Sequence, residues 1–327
     1  MLRKAYSKGF NGWSQLAILL GLLSVGLIVG RLISFPIWTL MTNGSPMNME
    51  ADMLKPENAS ASQVVQAVSV MFMFFLPTVA FAFICYRRGW VFLGFPALWG
   101  QAREKLNRKN LLIVLLIILC SIPLIVIIGK LNESIPLPPV TRAKFDALEK
   151  KYNEMVLAMV QLESWGQYFI SLLIIAVLPA VTEEVLFRGG LQNLLTRWIK
   201  FPWVAIIITS ILFSAIHLSW YGFFARFFLG IVLGLIFYYS QNIWLSILAH
   251  FLNNAIVVTT LFWMTRQGKP INLAAEETYP WGVGIASLIL VVILVRWLIV
   301  SAPKYQYNSD DDYDSNNPFD EKDLITR

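Results

Sequence analysis

The sequence predicts an all-α, polytopic membrane bundle of about eight transmembrane helices, and three observations predict it. First, 57% of the 327 residues are hydrophobic and only 14% are charged, whereas a soluble domain is about 45–50% apolar and about 25% charged. Second, the apolar residues gather in runs of about 20, the length that crosses a hydrocarbon core of ~30 Å at about 1.5 Å per residue. Third, these runs are apolar all round rather than alternating in segments of about ten, which selects helices over a barrel. With a mean hydropathy of +0.62, a soluble enzyme is excluded.

The spans are expected at 14–34, 64–86, 111–129, 166–186, 203–220, 223–240, 243–264 and 282–300. The first follows Arg3, Lys4 and Lys8 but is over-long for a secretory signal and lacks a small-x-small cleavage site, so it reads as a retained anchor. The loop 87–110 carries Arg87, Arg88, Arg103, Lys105, Arg108 and Lys109, whereas 41–63 carries only Lys55. Lys and Arg concentrate on the cytoplasmic side, so the N-terminus and the 87–110 loop are expected there. An even number of spans returns the C-terminus to that side, together with Arg188, Arg197 and Lys200; in a bacterium the host would be the cytoplasmic membrane. The net charge of +6 then reads as cytoplasmic loop charge beside the lipid bilayer, and no basic, aromatic patch calls for nucleic acid.

Between the third and fourth spans, Pro138-Pro139 is followed by Phe145, Leu148, Tyr152, Met155, Met159 and Leu162. Their spacing predicts an amphipathic, extramembrane helix over about 141–163, lying on the interface and packed over the bundle or gating a cavity. The segment mixes five basic with five acidic residues, which weakens its vote on orientation. From 301 to 327 the chain turns acidic (Asp310, Asp311, Asp312, Asp314, Asp320, Glu321, Asp323), the composition of a solvated, disordered tail. Residues 1–300 thus form one membrane unit without internal repeats. Cys85 and Cys120 lack metal-like spacing and read as packing residues rather than a disulfide.

A charge at mid-membrane costs about 2.5–3.5 kcal/mol on insertion scales, so ionisable residues inside apolar runs point to function. The fourth run ends in Glu183-Glu184 with Arg188, and the only two histidines, His217 and His250, fall in the fifth and seventh runs. Glu184 and Arg188 are spaced i,i+4 and can pair along one helix face, which leaves Glu183, turned about 100° away, available as a base. Phe213 and His217 are four apart, so the ring can pack on the imidazole. His250 and Asn254 are also four apart, and an Asn amide beside an imidazole can serve as an oxyanion hole, with each donor worth roughly 10²–10³ in rate. Asn253 and Asn254 can equally act as interhelical glue. Singly each feature has a packing explanation; together they fall within residues 183–254, on helices able to converge.

These residues resemble the motifs of the CAAX-prenyl-protease and bacteriocin-processing family of intramembrane proteases, also called the abortive-infection family. E-E-x-x-x-R is matched by Glu183, Glu184 and Arg188, with Phe187 and Gly189 extending it. F-x-x-x-H is matched by Phe213 and His217, and H-x-x-x-N by His250 and Asn254, preceded by Gly230, Gly234, Trp244 and Ile247. The resemblance covers 182 to 254 and implies an eight-span bundle with a catalytic core within 166–264, whose cavity opens to the cytoplasm. It further implies an endopeptidase in which Glu183 activates a water, His217 helps hold it, and His250 and Asn254 stabilise the oxyanion. Glu184, Arg188, Phe213 and Asn253 are then supporting residues. The mechanism is open between glutamic and metal-dependent hydrolysis: Glu183, His217 and His250 with one water make a valid zinc set, and Glu184 is then the second acid. The Glu184–Arg188 pair favours the metal-free form. The implied partner is a protein or peptide substrate at the membrane.

Two other classes compete. A non-catalytic immunity or transport protein would use the same polar centre for binding, and intact Glu183, His217, His250 and Asn254 weigh against it. A bis-histidine haem protein would leave the glutamate pair unexplained.

Overall fold

The computed structural model describes residues 5, 7–95, 108–269 and 279–301. Arg3, Lys4, Arg103, Lys105 and the acidic tail beyond 301 lie outside the described residues. Nine principal helices organise the described chain: α1 (Gly12–Thr42), α2 (Pro56–Cys85), α3 (Arg108–Glu133), α4 (Pro139–Met159), α5 (Trp165–Ile199), α6 (Pro202–Ala215), α7 (Phe223–Ser240), α8 (Ile243–Arg266) and α9 (Trp281–Ser301). Seven of them, all but α4 and α6, are long and apolar enough to cross a bilayer. The apolar α6 has 14 residues and reaches only about 21 Å at 1.5 Å per residue. The protein is an integral, polytopic helical bundle.

Local chemistry sets the ends. Asn11 caps α1 by accepting from Ser14 N at 2.9 Å, and Asn43, at φ 56°, closes it in the left-handed region that Asn tolerates. The backbone of Lys8 donates to Cys85 O and that of Ile243 to Gly94 O. The start of the chain, the end of α2 and the α7–α8 turn therefore share one end of the bundle. The turns after α1 and α3, the helix α4 and the α6–α7 turn share the opposite end, where Gln63 donates to Met159 O at 2.7 Å.

Two elements depart from the sequence expectation, and both bear on the site. The fourth span, expected to close at 186, continues as α5 to Ile199, which puts Glu183 near the middle of a 35-residue helix rather than at its end. Hydropathy falls after 187 because polar residues there face protein. Gln192 donates to Gly234 O at 3.0 Å, Arg188 to Gly230 O at 3.3 Å, and Asn193 to Phe92 O. Gly234 permits the Gln192 contact, and both Gly230 and Gly234 let α7 close on α6. A Cβ on Gly230 would lie 2.9 Å from Ser210 Cβ, and one on Gly234 would lie 2.9 Å from Ile206 Cγ2 and 3.0 Å from Gln192 Oε1. Small residues of this kind let membrane helices approach closely and exchange hydrogen bonds.

The fifth span ends early. α6 stops at Ala215, and His217 sits in the turn that follows, not inside a span as its apolar neighbours suggest. Leu218 takes a left-handed φ of 52°, which breaks the helix, and Ser214 Oγ ties the turn to Phe223 O at 2.6 Å.

α5 is also irregular. Residues Leu172–Val177 and Val185–Gln192 form π turns on either side of a short α-helical stretch, and Met71–Phe75 form another in α2. Such turns widen a helix and free backbone groups, and they concentrate at functional sites. Pro179, with no N–H, removes the donor that Ile175 O would meet four residues on.

Candidate active site

Glu183 and Glu184 are buried on α5, and their environments differ sharply. Glu184 is fully engaged. Arg188 Nε lies 3.3 Å from Oε2, a charge contact rather than a directed hydrogen bond; Ser246 Oγ donates to the same oxygen; His250 Nδ1 lies 3.1 Å from Oε1. Glu183 Oε2, by contrast, is buried with no hydrogen-bond partner among the described residues, and its nearest basic atom is His250 Nε2 at 4.0 Å. Native proteins leave few buried polar atoms unsatisfied, and such an atom calls for a functional explanation.

The two histidines are oriented through their Nδ1 atoms. A carbonyl oxygen only accepts, so His217 Nδ1, 2.8 Å from Phe213 O, carries a proton there and leaves Nε2 free to accept. His250 Nδ1 faces the Glu184 carboxylate, so its Nε2 is the atom turned towards Glu183. Phe213 lies between the imidazoles, with ring centroids 5.4 Å from His217 and 5.6 Å from His250, both edge to face. The Arg188 guanidinium covers the same ring at 4.8 Å. The phenylalanine of the second motif thus spaces three functional side chains at once.

Glu183, Glu184, Arg188, Phe213, His217 and His250 therefore converge. Asn253 and Asn254 lie about one turn further along α8, where Asn253 Nδ2 donates to Asn254 Oδ1 at 3.1 Å. Asn254 Nδ2 donates to Ile175 O at 3.4 Å, a carbonyl whose α-helical donor four residues on would be Pro179, which has no N–H. In this state Asn254 binds backbone, with a second Nδ2 proton to spare.

Three participants were not singled out from the sequence. Ser246 extends the face Ser246-His250-Asn254 at four-residue steps, which is the signal that identifies it. Arg226, in an apolar run, meets the same criterion as the intramembrane acids. Tyr152, a member of the apolar stripe, is brought over the site by α4, whose docking face matches the expected stripe only in part. Phe145 stacks on Trp220 at 4.9 Å, Asp146 accepts from Tyr221, Glu149 accepts from Ser219 at 2.6 Å, and Tyr152 covers Arg226 at 5.4 Å. Leu148 and Met155, expected on the buried side, are exposed, because polar pairing with the α6–α7 turn rotates the helix. Burial pushes the Tyr152 phenol up from its ordinary value.

A metal centre needs at least three converging donor side chains. Among the described residues, no group of three or more His, Cys, Asp or Glu side chains is arranged to hold one. Both Glu184 oxygens and His250 Nδ1 are turned to protein partners, which leaves Glu183, His217 Nε2 and His250 Nε2 as the atoms a metal would have to use.

Comparison with curated proteins and with solved structures finds no match. Residues 165–256 match the family model described as type II CAAX prenyl endopeptidase Rce1-like, a match that covers all three motifs and bears out the family resemblance read from them.

Proposed function

We propose that this protein is an intramembrane endopeptidase whose Glu183 activates the attacking water without a metal ion. The observation that carries the reading is the contrast between the two neighbouring glutamates. Glu184 is held by Arg188, Ser246 and His250, while Glu183 Oε2 is buried, unpartnered among the described residues and 4.0 Å from His250 Nε2. That separation is too long for a direct hydrogen bond and suits one bridging water. The matched family is one of membrane endopeptidases.

In the proposed reaction, Glu183 takes a proton from water while His217 Nε2 accepts its other hydrogen. The oxygen adds to the scissile carbonyl carbon, and the carbonyl π electrons move to oxygen. His250, donating from Nε2 in its doubly protonated form, and the second Nδ2 proton of Asn254 stabilise that oxyanion. Collapse breaks the C–N bond, and Glu183 returns its proton to the leaving nitrogen. Glu184 orients His250 rather than reacting. The Lys and Arg of the 87–110 loop support a cytoplasmic position for the end of the bundle that holds the N-terminus, and the substrate is a protein or peptide at the membrane.

The test is quantitative mapping of new protein termini in cells expressing wild type or Glu183→Ala at equal levels. Termini that appear only with wild type are expected. Their absence, or their persistence in the variant, overturns the assignment. Activity is expected to survive chelation, with no stoichiometric metal in the purified protein.

A further inference from the structure

Arg226 is a second cation in the neighbourhood of the site, half-buried with its Nε enclosed, and unlike Arg188 it has no carboxylate partner among the described residues. It is the fourth residue of α7, and its guanidinium folds back over Gly222. A Cβ on that glycine would lie 2.5 Å from Cζ, Nη1 and Nη2 alike, so a larger residue there would displace the guanidinium from this position. Tyr152 covers it through a ring contact at 5.4 Å, and Nη2 donates to Ser219 O at 2.9 Å. Nε is buried with no partner among the described residues. Glu149 is close by, but its Oε2 accepts from Ser219 Oγ, and no ion pair joins Glu149 to Arg226 among the described residues.

Arg226 also lies within electrostatic reach of both Glu183 and His217. A cation held rigidly with an unsatisfied donor is costly in such a place, and one beside reacting groups marks a place for an anionic ligand. Guanidinium groups suit carboxylates because both are planar and can share two hydrogen bonds.

We infer that Arg226 is a specificity-determining residue that binds a carboxylate of the substrate beside the bond cleaved at Glu183. This rests on the peptidase reading of the site. The carboxylate comes from an acidic side chain or from the free end of the peptide chain; either places the same group against the guanidinium. Tyr152 and Gly222 hold the guanidinium plane, so α4 contributes to substrate choice through Tyr152.

The experiment measures binding apart from cleavage. Short N-acetylated apolar peptides are titrated onto the full-length Glu183→Gln protein in micelles, as a free acid and its C-terminal amide, and as a Glu-containing amide and its Gln analogue. One acid of the two pairs is expected to bind about 10- to 100-fold more tightly than its neutral partner, the range for a hydrogen bond to a charged group. The pair that discriminates names the source of the carboxylate. Arg226→Gln is expected to abolish that discrimination while leaving the neutral peptide's affinity unchanged, and Arg226→Lys to retain part of it. Equal affinities within both pairs on the parent protein overturn the proposal even if Arg226→Gln fails to fold. Equal weakening of acid and neutral peptides by Arg226→Gln also overturns it. Because this readout needs no turnover, absence of peptidase activity with intact discrimination would count against the reaction and not against the carboxylate site.

Discussion

Exchanging the carboxylate of Glu184 for an amide should destabilise the protein far more than the same exchange at Glu183. Glu184 lies 3.3 Å from Arg188 and 3.1 Å from His250 Nδ1. At an effective dielectric constant of about 20, two unit charges 3.3 Å apart attract by about 5 kcal/mol, and breaking a buried pair by removing one partner costs about 3–5 kcal/mol. Glu184→Gln keeps the shape and still accepts from Ser246, so the expected loss is about 3–5 kcal/mol, concentrated in the stranded Arg188 charge. Glu183→Gln removes a buried carboxylate oxygen with no hydrogen-bond partner among the described residues, so stability should be unchanged or higher while cleavage is lost. Denaturant titration in detergent micelles reads both unfolding free energies, and terminal mapping reads activity. Glu184→Gln within about 0.5 kcal/mol of wild type would refute the structural role of the pair. The same variant, stable but stripped of bound zinc, would establish metal-dependent hydrolysis instead.

Ser246→Ala should cost about 1–3 kcal/mol by withdrawing a buried donor from Glu184, measured by the same titration; an unchanged free energy would remove Ser246 from the network. Gly234→Ala pushes a methyl against Ile206 and Gln192 and should destabilise by about 1–3 kcal/mol, read as a lower thermal midpoint, with no shift counting against the close α5–α7 contact. Pro179→Ala restores an N–H that can reach Ile175 O and compete with Asn254. Cleavage should fall without loss of thermal stability, and full activity would show that Asn254 does not need this anchor.

Much of the bundle was legible because a bilayer imposes a length and a polarity that hydropathy reads directly, as at α1, α3, α8 and α9. The limits of α5 and α6 were not, since both depend on what the helix faces. Arg188, Gln192 and Asn193 look like a helix end in one dimension, yet their donors meet carbonyls of Gly230, Gly234 and Phe92. His217 looks embedded because its neighbours are apolar, yet Leu218 turns the chain. The Glu184–Arg188 contact followed from helical spacing alone. The links from Glu184 to Ser246 and His250 join residues 62 and 66 positions apart and required the fold. Arg226 was visible as a charge in an apolar run, but its relation to Tyr152 depends on α4, which docks through the polar pairs of Asp146 and Glu149 together with Phe145 and Tyr152 of its apolar stripe.

The π turn at Val185–Gln192 has a consequence for how this protein tolerates change. A π turn is equivalent to one residue inserted into an α-helix. Deleting a single residue between 185 and 192 would let the helix relax towards α geometry with the segments on either side nearly in phase, whereas inserting one more residue in α geometry would turn everything beyond it by about 100° relative to Glu183 and Glu184. After such an insertion Gln192 would leave Gly234 and Asn193 would leave Phe92. The length of this segment is thus as much a part of the design of the site as the glutamates, and a one-residue insertion there should be more damaging than most substitutions in the same stretch.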